Sequence, residues 1–75
     1  MILVAKPGCH LCDVARDIID LVCAQADADW IELSIFDDAQ LAAMYADQIP
    51  VVLVDGQVHD VYRVNPERLL AALSS

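Results

Sequence analysis

The feature that most constrains the fold of this chain is a short apolar run that leads through a tight turn into an amphipathic helix. Ile2–Ala5 is continuously apolar, as is typical of a strand buried on both faces, and a Lys-Pro-Gly turn at residues 6–8 ends it. From Leu11 the apolar residues recur at helical spacing for about four turns, up to residues 27–29. The residues predicted to face the core are Leu11, Val14, Ala15, Ile18, Ile19, Val22 and Ala26.

The rest of the chain continues this alternation of strands and helices. Residues 30–35 predict a second strand, and Asp37 or Asp38 can cap a helix that runs through Tyr45. An Asp-Gly pair at residues 55–56 joins strands 49–54 and 57–62 in a hairpin, and Asn65 caps the last helix. We predict an α/β fold in one domain, residues 1–75, with four strands in a mixed sheet and helices on both faces.

The charge and hydropathy of the chain exclude several classes of function. Twelve acidic and four basic residues give a net charge of −8, so the surface repels nucleic acid and anionic membranes. Hydrophobic residues make up 59% of the chain, which excludes a disordered protein. No apolar stretch reaches the roughly 20 residues that span a bilayer, and the opening one is too short for a signal peptide. We therefore expect a cytoplasmic protein.

Three cysteines are too few, and odd in number, for a secreted disulfide scaffold. Cys9 and Cys12 form a Cys-x-x-Cys pair at the predicted helix start, where free N–H groups and the helix dipole favour a thiolate. We expect Cys9 to have a pKa below the free value of about 8.5, with help from protonated His10. The exposed Cys9 would attack a disulfide, and the deeper Cys12 would resolve the mixed disulfide.

The remaining metal-ligating residues do not complete a second site. Cys23 lies about 16 Å along the helix from Cys12, beyond the separation of about 7 Å that a disulfide allows, so it is predicted to be a boundary or core thiol. Cys9, His10 and Cys12 provide at most three ligands, and His59 is predicted to be an exposed hairpin residue. We predict no metal site in a single chain.

Two motifs give the sequence a resemblance to small glutaredoxin-like proteins of the thioredoxin superfamily. Residues 9–12, Cys-His-Leu-Cys, stand in the place of that family's active-site motif, and residues 49–51, Ile-Pro-Val, resemble its cis-proline loop. Composition alone does not require a cis bond, because proline is tolerated at the first position of a strand. The resemblance runs from Ile2 to about Leu73 and implies a thioredoxin-like fold of order βαβαββα.

The resemblance implies a thiol–disulfide oxidoreductase and a set of substrate contacts. It implies a cis bond before Pro50, so that the backbone of Ile49 would pair with a peptide or a glutathione-like ligand. Lys6 matches a family lysine that contacts the glutathione carboxylate, and Arg63 offers a second positive charge. The chain has His-Leu between its cysteines, where the family usually has an aromatic residue, and it lacks the family's Gly-Gly turn after the last strand.

The expected partners follow from this chemistry. The substrate would be a protein or glutathione-type disulfide, and electrons would come from glutathione as a co-substrate or from a protein reductase. No prosthetic group is expected, and we expect a monomer. Two alternatives stay open: a non-catalytic binding module that uses the loop near Pro50, with the cysteines as a redox switch, and a zinc or iron–sulfur carrier whose site is shared by two chains.

Overall fold

The computed structural model describes residues 1–74 and has the predicted order of strands and helices. Each helix and strand has its own local start and stop signals, which is why the order could be predicted. The elements are β1 (Ile2–Ala5), α1 (His10–Ala26), β2 (Ile31–Ser34), α2 (Ala39–Tyr45), β3 (Val51–Val54), β4 (Gln57–Val61) and α3 (Pro66–Ser74).

The four strands form one mixed sheet in the order β2-β1-β3-β4. β1 pairs in parallel with β2 and antiparallel with β3, and β3 and β4 form the antiparallel hairpin. Neighbouring residues of the inner strands point to opposite faces of the sheet, yet Leu3, Val4, Val51 and Val52 are all buried. Both faces of the sheet are therefore covered, as the continuous apolar runs predict.

The helices supply this cover. α1 and α3 contact each other and therefore share a face, where Ile19 and Leu69 are fully buried. α2 is the remaining helix, and its Leu41 and Tyr45 pack against the core. No helix within residues 1–74 has the length and apolar character that crossing a bilayer requires.

Residues with left-handed backbone conformations make the turns. Gly8, with φ of 76°, precedes α1, and Asp27, with φ of 54°, ends it while its N–H bonds to the Cys23 carbonyl. Asp55 and Gly56 both have positive φ, as a two-residue hairpin turn requires. Asn65 caps α3 as predicted, since its side-chain Oδ1 accepts from the N–H of Arg68 at 3.0 Å.

Three residues differ from the sequence prediction. Val14 stays 43% exposed although it follows the apolar spacing of α1. β4 ends one residue early because Tyr62 has a φ of 64°. His59 is not an exposed hairpin residue: it lies at a bulge in β4, half-buried, and its buried Nε2 has no hydrogen-bond partner in the described chain.

Candidate active site

Cys9 occupies the N-cap position of α1. Its backbone is extended, with φ of −91° and ψ of 116°, and the helix begins at the next residue. The Cys9 Sγ accepts a hydrogen bond from the Cys12 N–H at 3.3 Å, in the way that a serine or aspartate oxygen usually caps a helix. The sulfur therefore lies at the positive end of the helix dipole, where a negative charge is stabilised.

The surroundings of Cys9 lower the pKa of its thiol. Partial burial is the largest single influence and acts to raise the pKa. Hydrogen bonds from the Cys12 side chain, from the N–H groups of Cys12 and Leu11, and the positive charge of Lys6 together outweigh burial. The result is a half-buried thiol with a pKa below its ordinary value, as an attacking cysteine needs.

Cys12 has the opposite environment. It is fully buried, and this burial, followed by its hydrogen bond to the Cys9 side chain and the negative charge of Cys9, raises the pKa of Cys12 to about 11. Both thiols are free in the structure. Cys23 is also a free, buried thiol, and burial raises its pKa, but it lies in the last turn of α1, far from Cys9 and Cys12. Cys9 and Cys12 thus differ strongly in exposure and in the direction of their pKa shifts.

An ion-pair network holds the first turns of α1 against the edge strand. The Arg16 guanidinium donates to both carboxylate oxygens of Glu32 at 2.6 and 2.8 Å and to Asp13 at 2.8 Å. These bonds hold the pKa of the Glu32 carboxyl below its usual range. Asp13 follows Cys12 directly, and its charge is compensated by Arg16 rather than left free beside the thiols. Sequence reasoning missed this network because Arg16 and Glu32 are 16 residues apart.

The loop before β3 lies at the same end of the sheet as the cysteines. Val51 pairs with Val4, which places Pro50 at the end of β1 from which the chain turns towards Cys9. The Ile49–Pro50 peptide bond is cis, and both residues are buried. No hydrogen bond to the backbone of Ile49 is formed within residues 1–74.

Tyr62, the residue after β4, holds this loop in place with two hydrogen bonds. Its N–H donates to the Pro50 carbonyl and its hydroxyl donates to the Asp47 carbonyl, each at 2.8 Å. The two bonds bracket the loop, so Tyr62 fixes the position of residues 47–50. Sequence reasoning missed these two bonds, because Tyr62 and Asp47 are 15 residues apart in the chain.

The other predicted contact residues fall on two sides of the cysteine turn. Lys6 is exposed and shares a small cavity with Arg16 and Glu32. His10 and Arg63 are exposed and line a separate groove of about 390 Å³. The structure therefore brings Lys6 close enough to influence Cys9 but does not bring Lys6 and Arg63 into one cavity. The part of His10 in lowering the pKa of Cys9 stays a prediction.

Across residues 1–74, no group of three or more histidine, cysteine, aspartate or glutamate side chains is arranged to hold a metal ion. The two thiols at the start of α1 are thus the chemically distinctive groups of this region.

The opposed pKa shifts predict selective alkylation of the two thiols. At neutral pH, Cys9 should react with iodoacetamide faster than Cys12, and its rate should reach half its maximum at a lower pH than the rate of an ordinary cysteine. As long as Cys9 is unmodified, Cys12 should become reactive only as the pH nears about 11, so initial rates are compared. Because the positive charge of Lys6 favours the thiolate, Lys6→Gln should shift the Cys9 profile to higher pH. Mass spectrometry of the Cys23→Ser protein measures both rates, and equal rates at neutral pH would contradict the asymmetry.

Comparison with known protein families agrees with this geometry. A family model described as a glutaredoxin-like domain (DUF836) matches residues 1–74. No protein with a curated description matches the chain. The four-stranded mixed sheet with three helices is a thioredoxin-like fold. Since the family match covers almost the whole chain, this protein belongs to the glutaredoxin-like domain family.

Proposed function

We propose that this protein is a thiol–disulfide oxidoreductase in which Cys9 is the nucleophile and Cys12 the resolving thiol. The observation that carries the proposal is the pairing of two free thiols one helical turn apart, one with a lowered pKa and one with a pKa raised to about 11. A thioredoxin-superfamily fold supports a redox role for such a pair. Free thiols suit a reducing compartment, and we place the protein in the cytoplasm.

The first step uses the stabilised thiolate. The Cys9 sulfur attacks one sulfur of a substrate disulfide, a bond forms between them, and the substrate's own S–S bond breaks. The other sulfur of the substrate disulfide leaves as a thiolate and takes a proton from solvent. The capping N–H of Cys12, at 3.3 Å, stabilises Cys9 before the attack.

The second step depends on a change in the environment of Cys12. The hydrogen bond to Cys9 and the negative charge of Cys9 both raise the pKa of Cys12. Once Cys9 is in a mixed disulfide, its charge is gone, so the pKa of Cys12 falls. The Cys12 thiol then loses its proton and attacks Cys9 Sγ, which forms the Cys9–Cys12 disulfide and releases the second substrate thiolate. The protein gives up two electrons and the substrate gains them.

The neighbouring loop supports an extended substrate. Ile49 offers a backbone with no hydrogen-bond partner within residues 1–74, and Tyr62 holds that loop in place. A peptide or glutathione-type disulfide would pair with Ile49 by strand addition. Lys6 and Arg63 would contact carboxylates of such a ligand. Glutathione as co-substrate, or a protein reductase, would reduce the Cys9–Cys12 disulfide, and the protein would act as a monomer without a prosthetic group.

The trapping of a mixed disulfide tests this function. In the Cys12→Ser protein the second step is blocked. After addition of a disulfide-linked peptide dimer in excess, one of its two peptide chains should therefore stay bound to Cys9 as a mixed disulfide. Intact mass and peptide mapping show where the adduct sits. The Cys12→Ser/Cys23→Ser protein should give the same adduct. An adduct on Cys23 alone, or none at all, would rule out the proposed mechanism and favour the non-catalytic binding module.

A further inference from the structure

A groove runs along α1 from the cysteine motif towards the middle of the helix. It has a volume of about 390 Å³ and is lined on one side by His10, Leu11, Val14 and Ile18 of α1, and on the other by Tyr62 and Arg63. This volume falls within the range of about 300–1,000 Å³ that is usual for ligand-binding clefts. His10 follows Cys9 in the chain, so the groove begins one residue away from the attacking cysteine.

The walls of the groove are largely apolar and remain accessible. Leu11 and Ile18 are half-buried, and Val14 keeps 43% of its surface exposed although the spacing of α1 predicts it in the core. From His10 to Ile18 the helix rises about 12 Å, which is long enough for several residues of an extended peptide. An exposed apolar strip that continues from a reactive cysteine is expected to be covered by the substrate.

The charges around the groove differ from those of the rest of the surface. The described residues that line it include no aspartate or glutamate, although the chain carries twelve acidic residues. Of the four basic residues, Arg16 and Arg68 are held in ion pairs with Asp13, Glu32 and Asp60. Arg63 lines the groove, and none of the ion pairs within residues 1–74 involves its side chain. In an acidic protein, a cation without an ion-pair partner, in a groove lined by no acidic side chain, favours a carboxylate ligand.

We infer that this groove binds a protein segment in which the substrate cysteine is flanked by a large apolar residue and an acidic residue. The apolar side chain would pack on Leu11, Val14 and Ile18, and the carboxylate would pair with Arg63. Glutathione has no large apolar side chain to cover this strip, so the groove favours a protein disulfide. The inference rests on the proposed function for the identity of the ligand as a disulfide substrate; the binding itself does not require turnover.

Binding of two synthetic peptides tests the inference without any redox step. Both have the same length, a serine in place of the cysteine, and flanking leucines; one carries glutamates and the other lysines. The net charge of −8 favours the lysine peptide at long range. We nevertheless expect the reduced protein to bind the glutamate peptide about tenfold more tightly at low salt in calorimetric titration. Replacement of the leucines by serines should weaken that binding, and added salt should narrow the preference.

A matched pair of variants separates the groove from overall charge. Arg63→Gln and Gln57→Glu each change the net charge from −8 to −9, but Gln57 lies at the opposite end of β4. Arg63→Gln should abolish the preference for the glutamate peptide, whereas Gln57→Glu should keep it. Equal binding of both peptides to the unaltered protein, loss of the preference in Gln57→Glu, or self-association that blocks the groove would overturn the inference.

The trapping experiment distinguishes failure of the groove from failure of the proposed function. Trapping of a peptide on Cys9 without any preference between the two peptides would overturn the inference about the groove, but it would still support the redox function. The glutamate preference without trapping would overturn the redox function and with it the assignment of the ligand as a disulfide. If both the trapping and the glutamate preference are observed, the disulfide of the glutamate peptide should react with Cys9 about tenfold faster than the disulfide of the lysine peptide.

Discussion

Replacement of Cys9 by serine is expected to slow disulfide reduction by at least about a thousandfold, the scale of loss when a covalent nucleophile is removed. A serine hydroxyl stays protonated at neutral pH, so the low-pKa environment of position 9 has no anion to stabilise. Serine is, however, a favourable N-cap residue, and its oxygen can accept the Cys12 N–H as the sulfur does. The variant should therefore fold normally and lose only the chemistry.

Single-turnover kinetics with the reduced protein measure this loss without a choice of electron donor. Release of the substrate thiol is followed after mixing with a small disulfide. Cys23→Ser should match the unaltered protein, because Cys23 is buried far along α1. Cys12→Ser should release only the first thiol. Activity of Cys9→Ser within a few-fold of the unaltered protein would show that another group attacks the disulfide.

The fold was predictable because its signals are local. The Asp-Gly turn, the N-caps at Asp38 and Asn65 and the left-handed end of α1 at Asp27 each depend on a few adjacent residues. The same applies to the position of Cys9, since a Pro-Gly turn that follows a strand and precedes a helix places the next residue at the cap. Strand bounds shifted by one or two residues, where tertiary contacts decide the ends.

The parts of the site that join distant segments were not predictable in this way. The bonds from Arg16 to Glu32 and from Tyr62 to Asp47 link residues that are 16 and 15 apart, and they form only once the sheet has brought these segments together. Val14 has a core-like spacing, yet it is exposed because the segment after β4 leaves a groove beside α1. The sides on which Lys6 and Arg63 lie likewise depend on tertiary packing.

Truncation of Leu69 to alanine is expected to destabilise the protein by about 3 kcal/mol, within the range of about 2–5 kcal/mol for buried leucines. Leu69 is 0% exposed on α3, the helix that contacts α1. Its loss removes apolar contacts and leaves a cavity that the surrounding core fills only in part. For a domain of 75 residues, whose total stability is on the order of 4–11 kcal/mol, this is a large share. Urea unfolding followed by circular dichroism measures the change.

The chain provides a matched control for this substitution. Leu21 also lies on a helix, α1, but is 68% exposed, so Leu21→Ala removes the same atoms from a surface that water already reaches. We expect it to change the free energy of unfolding by less than about 0.5 kcal/mol. Because alanine favours a helix in both variants, the difference between them isolates burial. Equal effects of the two substitutions would mean that α3 does not pack on the core as described. A selective loss of stability in Leu69→Ala would establish that α3 packs against α1 through its buried face.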